Sequence, residues 1–186
     1  EWTLVSICDC NGDGLADDND YADAVNKVVS GTQVTTAFDM AADADCDGYT
    51  SAAILINYLN CLFPHFVQTN ISYRVHDGKQ HGLLVETIPD DVKLVIAPDS
   101  SSSDFEEHEE LAKRGIDVLV LDHHEAEKFS EYACVINNQL CDYPNKEMSG
   151  VGVTWQFCNY LDFLLNKTYA TKYLDLVALG MDADMM

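Results

Sequence analysis

Acidic and imidazole side chains are concentrated in a few short stretches of this sequence. Carboxylates crowded together repel one another unless a cation lies between them. Hard divalent ions such as Mg²⁺ and Mn²⁺ prefer oxygen ligands, and imidazole beside a carboxylate suits Mn²⁺, Fe²⁺ or Zn²⁺. The stretches therefore predict a divalent-metal site, and they are Asp43-Ala-Asp45-Cys-Asp47-Gly, Asp99, Asp122-His123-His124-Glu125 and Asp184.

The first stretch has its three carboxylates two residues apart. If the chain is still extended there, Asp43, Asp45 and Asp47 point the same way and line one side. A solvated acidic turn explains the same pattern when it stands alone. Asp99 lies in Pro-Asp-Ser, an ordinary turn sequence by itself. The argument for a site therefore depends on the stretches meeting in space.

Strands and helices must bring these stretches together. Apolar runs predict strands over residues 34–42, 92–97, 116–121 and 133–136, and helical spacing predicts helices over 51–63, 104–114, 151–165 and 169–179. Alternating strands and helices indicate an α/β fold, in which helices flank both faces of a parallel sheet. Ligands of open α/β sheets bind at the carboxyl ends of the strands, where three of the stretches lie.

The composition limits the partners. The net charge is −22, with 32 acidic residues against 10 basic ones, whereas affinity for nucleic acids rests largely on Lys and Arg. The acids therefore bind cations, or the basic surface lies in a part of the protein missing here, or much of the acid only solvates the surface. No apolar run approaches the roughly 20 residues that cross a bilayer, so no membrane partner is expected.

The seven cysteines form neither a paired framework nor a zinc-ribbon pattern. We interpret them as reduced thiols of a cytoplasmic protein, and they are Cys8, Cys10, Cys46, Cys61, Cys134, Cys141 and Cys158.

An acidic segment near the start has the spacing of an EF-hand calcium loop. Its candidate ligands are Asp9, Asn11, Asp13, Asp17 and Asp20. An Asp at the last position is typical of dockerin modules, and residues 43–48 could begin their second loop. A calcium-binding, dockerin-like interaction module is therefore the non-enzyme alternative, although dockerins are short and the sequence beyond residue 60 has no counterpart in them. Residues 1–20 are otherwise an acidic lead-in.

Taken in order, the stretches resemble the motifs of RecJ-like proteins of the DHH phosphoesterase family. The segments that carry the resemblance are Asp43-Ala-Asp-Cys-Asp-Gly-Tyr-Thr-Ser-Ala-Ala, Asp99, Asp122-His123-His124, Ser149-Gly150-Val151-Gly152-Val153 and Leu176-Val-Ala-Leu-Gly-Met-Asp-Ala-Asp184. His76-Asp-Gly-Lys-Gln-His-Gly-Leu83 is similar to a segment of phage and bacterial RecJ-like nucleases. The resemblance implies a DHH domain over residues 21–186.

The resemblance also implies a dinuclear centre with two Mn²⁺ or Mg²⁺ ions. One ion would be held by Asp43, Asp45 and Asp99. The other would be held by Asp47, Asp99, His123 and Asp184, with Asp99 as the bridge. Asp122 would support the site from beside His123, and His124 would reach the substrate phosphate, which makes Asp122, His123 and His124 the catalytic group.

Further substrate contacts are expected from two loops. Backbone N–H groups of residues 149–153 at a helix start, with Ser149, Gly150 and Gly152, could bind a phosphate. A tight turn with close helix packing explains the two glycines equally well. Lys79 and His81 could contact a nucleic-acid strand, or belong to a polar exposed loop.

The implied activity is metal-dependent phosphodiester hydrolysis, as in a RecJ-like exonuclease that digests single-stranded DNA from 5′ to 3′. The enzymatic alternative is a DHH phosphodiesterase of short oligonucleotides or cyclic dinucleotides. The C-terminal DHH-associated domain is expected to be absent, because the sequence ends just after the fourth motif. We therefore expect Mn²⁺ binding but weak cleavage of DNA by this chain alone. The expected location is the cytoplasm (the host cytoplasm for a phage-encoded protein), and no protein partner is indicated.

Overall fold

The computed structural model describes residues 37–42, 44–75 and 81–184. Within these ranges the strands are β1 (Ala37–Ala42), β2 (Ile71–Val75), β3 (Val92–Pro98), β4 (Asp117–Asp122) and β5 (Cys134–Asn137). The α-helices are α1 (Cys46–Leu62), α2 (Pro64–Asn70), α3 (Phe105–Lys113), α4 (Gly150–Leu165) and α5 (Leu174–Ala183). Short 3₁₀ turns lie at Val85–Thr87 and Ala170–Tyr173.

The strands form one parallel sheet with the order β2-β1-β3-β4-β5. Because β1 lies between β2 and β3, the chain crosses over the sheet between strands. The carboxyl ends of β1, β3 and β4 are therefore neighbours at one edge, and Asp99 and Asp122 are at or directly after two of those ends. The predicted parallel α/β fold is confirmed.

Helices cover both faces of the sheet. Successive side chains of the buried strands are apolar and point to opposite faces, so each face has an apolar surface for a helix to pack against. Leu94, Ile96, Leu119 and Leu121 pack with α1 and α4 on one face. Their neighbours point to the other face, where they pack with Leu111 of α3, and they are Val95, Ala97, Val118 and Val120. A strand buried on both faces reads as a continuous apolar run, as the sequence does here.

The start of α1 differs from the prediction. The helix begins at Cys46 instead of residue 51, because the Asp45 side chain caps it by accepting a hydrogen bond from the Gly48 amide at 2.8 Å. Asp47 consequently lies in the first helical turn. The backbone of Asp45 is extended, but the expectation of an extended chain with three carboxylates along one side is wrong at Asp47. Cys46 to Gly48 also belong to a helix and not to a second calcium loop.

Two elements between α1 and β3 were not predicted. Pro64 begins α2 at the first-turn position that proline tolerates, and β2 follows at once as an edge strand. Ser72 and Tyr73 of β2 are exposed, so this strand lacks the apolar run that marks the central strands. The predicted helix over 169–179 is a 3₁₀ turn followed by α5.

Cys134 is disulfide-bonded, so the prediction of reduced thiols throughout is wrong at this residue. Spacing along the chain does not reveal which cysteines meet. Cys46, Cys61, Cys141 and Cys158 are free thiols. No helix in the described part of the chain is long and apolar enough to cross a membrane.

Several predictions fall on residues that the structure does not describe. These are the division of the chain at residue 20, the candidate calcium ligands Asp9, Asn11, Asp13, Asp17 and Asp20, the metal ligand Asp43, and Lys79.

Candidate metal centre

Asp99, directly after β3, is the most unusual residue of the site. Its φ of +63° is in the left-handed region, which residues other than glycine seldom adopt. Its side chain is 1% exposed, and neither carboxylate oxygen has a hydrogen-bond partner among the described residues. Its amide donates to the Leu121 carbonyl at 2.7 Å, which ties the turn to β4. The fold thus holds a carboxylate in place without satisfying it.

Burial raises the pKa of Asp99 to about 10, with further increases from the charges of Asp47, Asp122 and Asp45. A negative charge in this position is therefore unfavourable unless a positive charge approaches it. A divalent cation would provide that charge and could be coordinated by the two oxygens. The donor set fits such an ion.

His123, directly after β4, faces the same point from the neighbouring strand. Its Nε2 lies 3.3 Å from Oδ1 of Asp99, 3.8 Å from Oδ2 of Asp47 and 3.8 Å from Oδ2 of Asp184. These residues come from β3, β4, α1 and the end of α5. Four of the predicted ligands thus meet, although they are distant in sequence.

Among the described residues, two groups of three side chains could hold an ion, and they share His123. One is Asp47, His123 and Asp184, and the other is Asp99, His123 and His124. In each group the ligand atoms lie within 4.8 Å of one another. Asp45 belongs to neither group, because its exposed side chain caps α1.

Asp47 joins the metal centre to the start of α4. Its Oδ2 accepts from the Gly150 amide at 2.7 Å, and its Oδ1 accepts from the Val151 amide at 3.0 Å and the Ser149 hydroxyl at 3.2 Å. A carboxylate at a helix N-terminus is stabilised by the helix dipole. The Gly150 and Val151 amides, predicted to bind a phosphate, have Asp47 as their partner in this structure.

The two glycines of this turn are required by close packing. A Cβ on Gly150 would lie 2.1 Å from Oδ1 of Asp99, and a Cβ on Gly152 would lie 2.6 Å from Cγ of Met148. Either contact is shorter than real side chains allow. Gly150 therefore lets α4 approach the metal centre, in agreement with the close-packing interpretation of the glycine pair.

Asp122 organises the imidazole pair. Its Oδ1 accepts from the His123 and His124 amides at 2.7 and 3.2 Å and lies 2.7 Å from Nδ1 of His124, while its Oδ2 accepts from the Ser102 amide at 3.0 Å. Burial alone would raise its pKa, but the contacts with His124 and Ser102 lower it to about 2. The carboxylate therefore orients the ring of His124, whereas the sequence assigned it to His123.

A cleft of about 420 Å³ lies beside His124. Two walls are defined here by their position in the chain: one is His81 and Gly82, and the other is residues 100–104 with Asp122 and His124. His81 was predicted to contact substrate, but the serines at 100–103 were not. A run of polar residues after a strand, at the edge where Asp99 ends β3, was the available signal.

Asn137 was also missed. Its side-chain amide donates to the Ser102 hydroxyl at 2.7 Å and to the His124 carbonyl at 2.9 Å, so it joins the serine segment to the imidazole pair. It ends β5 at the same edge of the sheet and is fully buried. A polar residue that ends an apolar strand could have been found by the reasoning that singled out Asp99.

Known proteins are similar to this chain in sequence. Residues 40–181 match the family model described as the DHH family, N-terminal domain. This chain belongs to the DHH family. Single-strand DNA-specific exonuclease YorK of the SPbeta prophage in Bacillus subtilis is 53% identical over 143 residues, which are 76% of this chain and 24% of the relative.

Other relatives of this DHH chain are RecJ proteins. Single-stranded-DNA-specific exonuclease RecJ of Thermus thermophilus is 30% identical over 146 residues, which are 77% of this chain and 22% of the relative. The chain thus spans about a quarter of the length of these curated relatives.

Solved structures agree with the fold. An exonuclease RecJ bound to manganese has a TM-score of 0.77 at 22% identity, with coverage of 99% of this chain and 45% of the other. RecJ from Thermus thermophilus in complex with Mn²⁺ has a TM-score of 0.73 at 23% identity, with coverage of 89% and 24%. At these identities the likeness shows the fold alone, and it agrees with the predicted α/β fold of a DHH domain.

Proposed function

We propose that this chain is the DHH domain of a metal-dependent exonuclease that hydrolyses phosphodiester bonds in single-stranded DNA. The observation that carries the proposal is the buried carboxylate of Asp99. Its oxygens have no hydrogen-bond partner among the described residues, and acidic side chains lie close to it. A buried carboxylate usually accepts hydrogen bonds from the protein itself, unless a ligand binds to it. The position of Asp99 beside His123 therefore supports a cation site.

We assign two divalent ions, Mn²⁺ or Mg²⁺, to this site. Asp47, Asp99, His123 and Asp184 would hold one ion, since a carboxylate oxygen of each aspartate lies within 3.8 Å of Nε2 of His123. Asp99 would be shared with a second ion, for which Asp43 and Asp45 stay the predicted ligands. The cap uses Oδ1 of Asp45, which leaves Oδ2 for an ion.

Bound divalent ions supply an acidified water and neutralise charge on a phosphate undergoing in-line displacement. The chain's own residues position the substrate for this chemistry. Asp122 fixes the ring of His124 through Nδ1, so Nε2 is the nitrogen on the side away from that carboxylate. We assign to His124 the contact with the substrate phosphate, and to His81 and the serines at 100–103 contacts with the adjacent nucleotide. Ser149 and Gly150 then act by positioning Asp47 and Asp99, and Gly152 acts by packing against Met148.

The substrate is proposed from the relatives. YorK and RecJ are named as single-strand DNA-specific exonucleases, and YorK is similar enough to share the chemistry of its matched segment. Digestion from 5′ to 3′ is the direction that the resemblance to RecJ-like proteins implies. The cations would also offset part of the net charge of −22 where the DNA approaches.

A second candidate is hydrolysis of short oligonucleotides or cyclic dinucleotides. It is favoured by the cleft, because none of the nine described residues that line it is Lys or Arg. A long phosphate backbone would have little basic surface to follow in this part of the chain.

The test compares Asp99→Asn with Asp91→Asn, two substitutions that flank the same strand. Asn tolerates the left-handed region, so the first variant removes the charge without changing the turn. Asp91 is exposed at the opposite end of β3 and is the matched control. Single strands labelled at the 5′ or the 3′ end, and short di- and tetranucleotides, are incubated with Mn²⁺.

We expect release of labelled mononucleotide from the 5′ end, a loss of rate of roughly 1,000-fold in Asp99→Asn, and no change in Asp91→Asn. Cleavage of the short substrates alone would favour the second candidate. Hydrolysis that survives in Asp99→Asn would refute the metal centre as the source of activity.

A further inference from the structure

Asp104 joins the two walls of the cleft. We propose that it is a positioning residue, which holds residues 81–83 against the serine segment at 100–103 and so sets the width of the cleft that receives a nucleotide unit. The nature of the ligand rests on the proposed function. The bridge itself rests on contacts among described residues.

The first observation concerns the start of α3. Asp104 occupies the N-cap position, where Asp is among the most favourable residues because its side chain accepts from the first helical amides. Its side chain makes no such cap bond. Instead, Oδ2 accepts from the Leu83 amide at 2.7 Å, 21 residues earlier in the chain. The side chain thus leaves the helix amides and holds another segment.

Gly82 provides a second, independent observation. Its φ is +78°, and a Cβ there would lie 2.5 Å from Oδ2 of Asp104 and 3.0 Å from its Cγ. The backbone of residue 82 therefore rests directly on the carboxylate. The hydrogen bond from Leu83 and the absence of a Cβ at Gly82 both depend on this segment lying close to the Asp104 carboxylate.

The bridge holds the segment that carries His81 at the cleft. His81 and Gly82 line the cleft together with His124. Leu83 is anchored in the apolar cluster beneath, so Asp104 and Leu83 together fix the segment that carries His81. A change in the bridge should therefore alter binding of a nucleotide between the walls more than the chemistry at the metal centre.

Substitutions of Asp104 separate the bridge from the cap. Asp104→Ser keeps a good N-cap residue but is too short to reach the Leu83 amide. Asp104→Asn keeps an oxygen acceptor of the same reach. With the full chain and a 5′-phosphorylated single-stranded tetranucleotide, we expect Kd to rise about tenfold in Asp104→Ser, as loss of one hydrogen bond predicts. We expect kcat to stay within about twofold and Asp104→Asn to remain near the unsubstituted protein.

A pair of glycine substitutions provides the matched control. Gly115 also has a positive φ of +72°, but a Cβ there would meet nothing within 4 Å. Gly82→Ala and Gly115→Ala therefore carry similar backbone strain, and only the first pushes against Asp104. We expect weaker nucleotide binding in Gly82→Ala and unchanged binding in Gly115→Ala.

Hydrogen exchange at the Leu83 amide tests the bridge without any substrate. We expect protection in the unsubstituted chain and in Asp104→Asn, and faster exchange in Asp104→Ser. Unchanged exchange in Asp104→Ser would overturn the bridge, and faster exchange with unchanged Kd would overturn its role in binding. A third outcome is that the unsubstituted chain binds no oligonucleotide while exchange at Leu83 responds as expected. The proposed function and the role of the bridge in nucleotide binding would then both be refuted. The hydrogen bond between Asp104 and Leu83 would still be confirmed.

Discussion

Two buried carboxylates near α4 have opposite surroundings. Asp162, 4% exposed, accepts from the Tyr58 hydroxyl at 3.0 Å through Oδ1 and from the Ala170 amide at 2.7 Å through Oδ2. The Ala170 carbonyl in turn accepts from the Trp155 indole at 2.9 Å. Asp99 is buried just as deeply, yet neither of its oxygens has a hydrogen-bond partner among the described residues, and Nε2 of His123 lies 3.3 Å from its Oδ1.

The difference separates a structural carboxylate from one prepared for a ligand. The protein satisfies Asp162 with its own donors, and the result ties α1 and α4 to the 3₁₀ turn at Ala170–Tyr173. At Asp99, in contrast, the backbone is strained and the buried carboxyl group has no hydrogen-bond partner among the described residues. Such local violations are expected at functional sites, where stability is given up for binding.

The largest effect is expected from Asp162→Ala. It leaves the Tyr58 hydroxyl and the Ala170 amide buried without an acceptor, so the free energy of unfolding should fall by about 4 kcal/mol. Urea denaturation measures this loss, and Mn²⁺ affinity should change little in the protein that remains folded. A loss below about 1 kcal/mol would show that Asp162 is not a structural counterpart to Asp99.

His108 is a buried group that becomes positively charged when it is protonated, in contrast to the two carboxylates. It is fully buried in α3, both ring nitrogens lack partners in the described structure, and burial lowers its pKa to about 4 against the opposing effect of Asp104. The unfolded chain binds a proton near the ordinary pKa of about 6.5, so it takes up more protons than the folded chain between these values.

Stability should therefore fall by about 3 kcal/mol as the pH decreases from about 6.5 to about 4, at about 1.4 kcal/mol for each pH unit. Urea denaturation across this range measures the slope. His108→Leu should remove this contribution to the slope. An identical pH profile in the variant would mean that His108 is protonated as readily in the folded chain as in the unfolded one.

Metal affinity provides the next effect in size. Asp99→Asn should weaken Mn²⁺ binding by at least about 100-fold, or about 2.7 kcal/mol, because removing a shared ligand should cost at least as much as removing a group that only supports a ligand. Titration calorimetry measures it, with Asp91→Asn as the control. Equal affinities in the two variants would remove the distinction between Asp99 and an ordinary buried carboxylate.

The smallest effect concerns the same variant without metal. Asp99→Asn removes a buried carboxyl group whose raised pKa opposes folding at neutral pH, so in the presence of chelator the free energy of unfolding should rise by about 2 kcal/mol. Thermal and urea unfolding check the direction. If the variant is less stable than the unsubstituted chain, Asp99 has a structural partner, and its contrast with Asp162 disappears.

The central strands could be predicted because each is buried on both faces and reads as an apolar run. The ends of β3 and β4 could be recognised because Asp99 and Asp122 interrupt such runs. Edge strand β2 could not, since half of its residues face solvent and carry polar side chains. The beginning of α1 was missed because Asp45 reads equally well as a metal ligand and as a helix cap.

The sequence by itself determined the α/β class, the set of acidic and imidazole groups, and their place at the strand ends, because these follow from local periodicity and residue type. Only the tertiary structure decided which groups meet. In that structure Asp122 contacts the ring of His124, the Gly150 amide donates to Asp47, and the Leu83 amide donates to Asp104. Hydrogen-bond partners far apart in sequence depend on how helices pack across the sheet, and no local pattern encodes that packing.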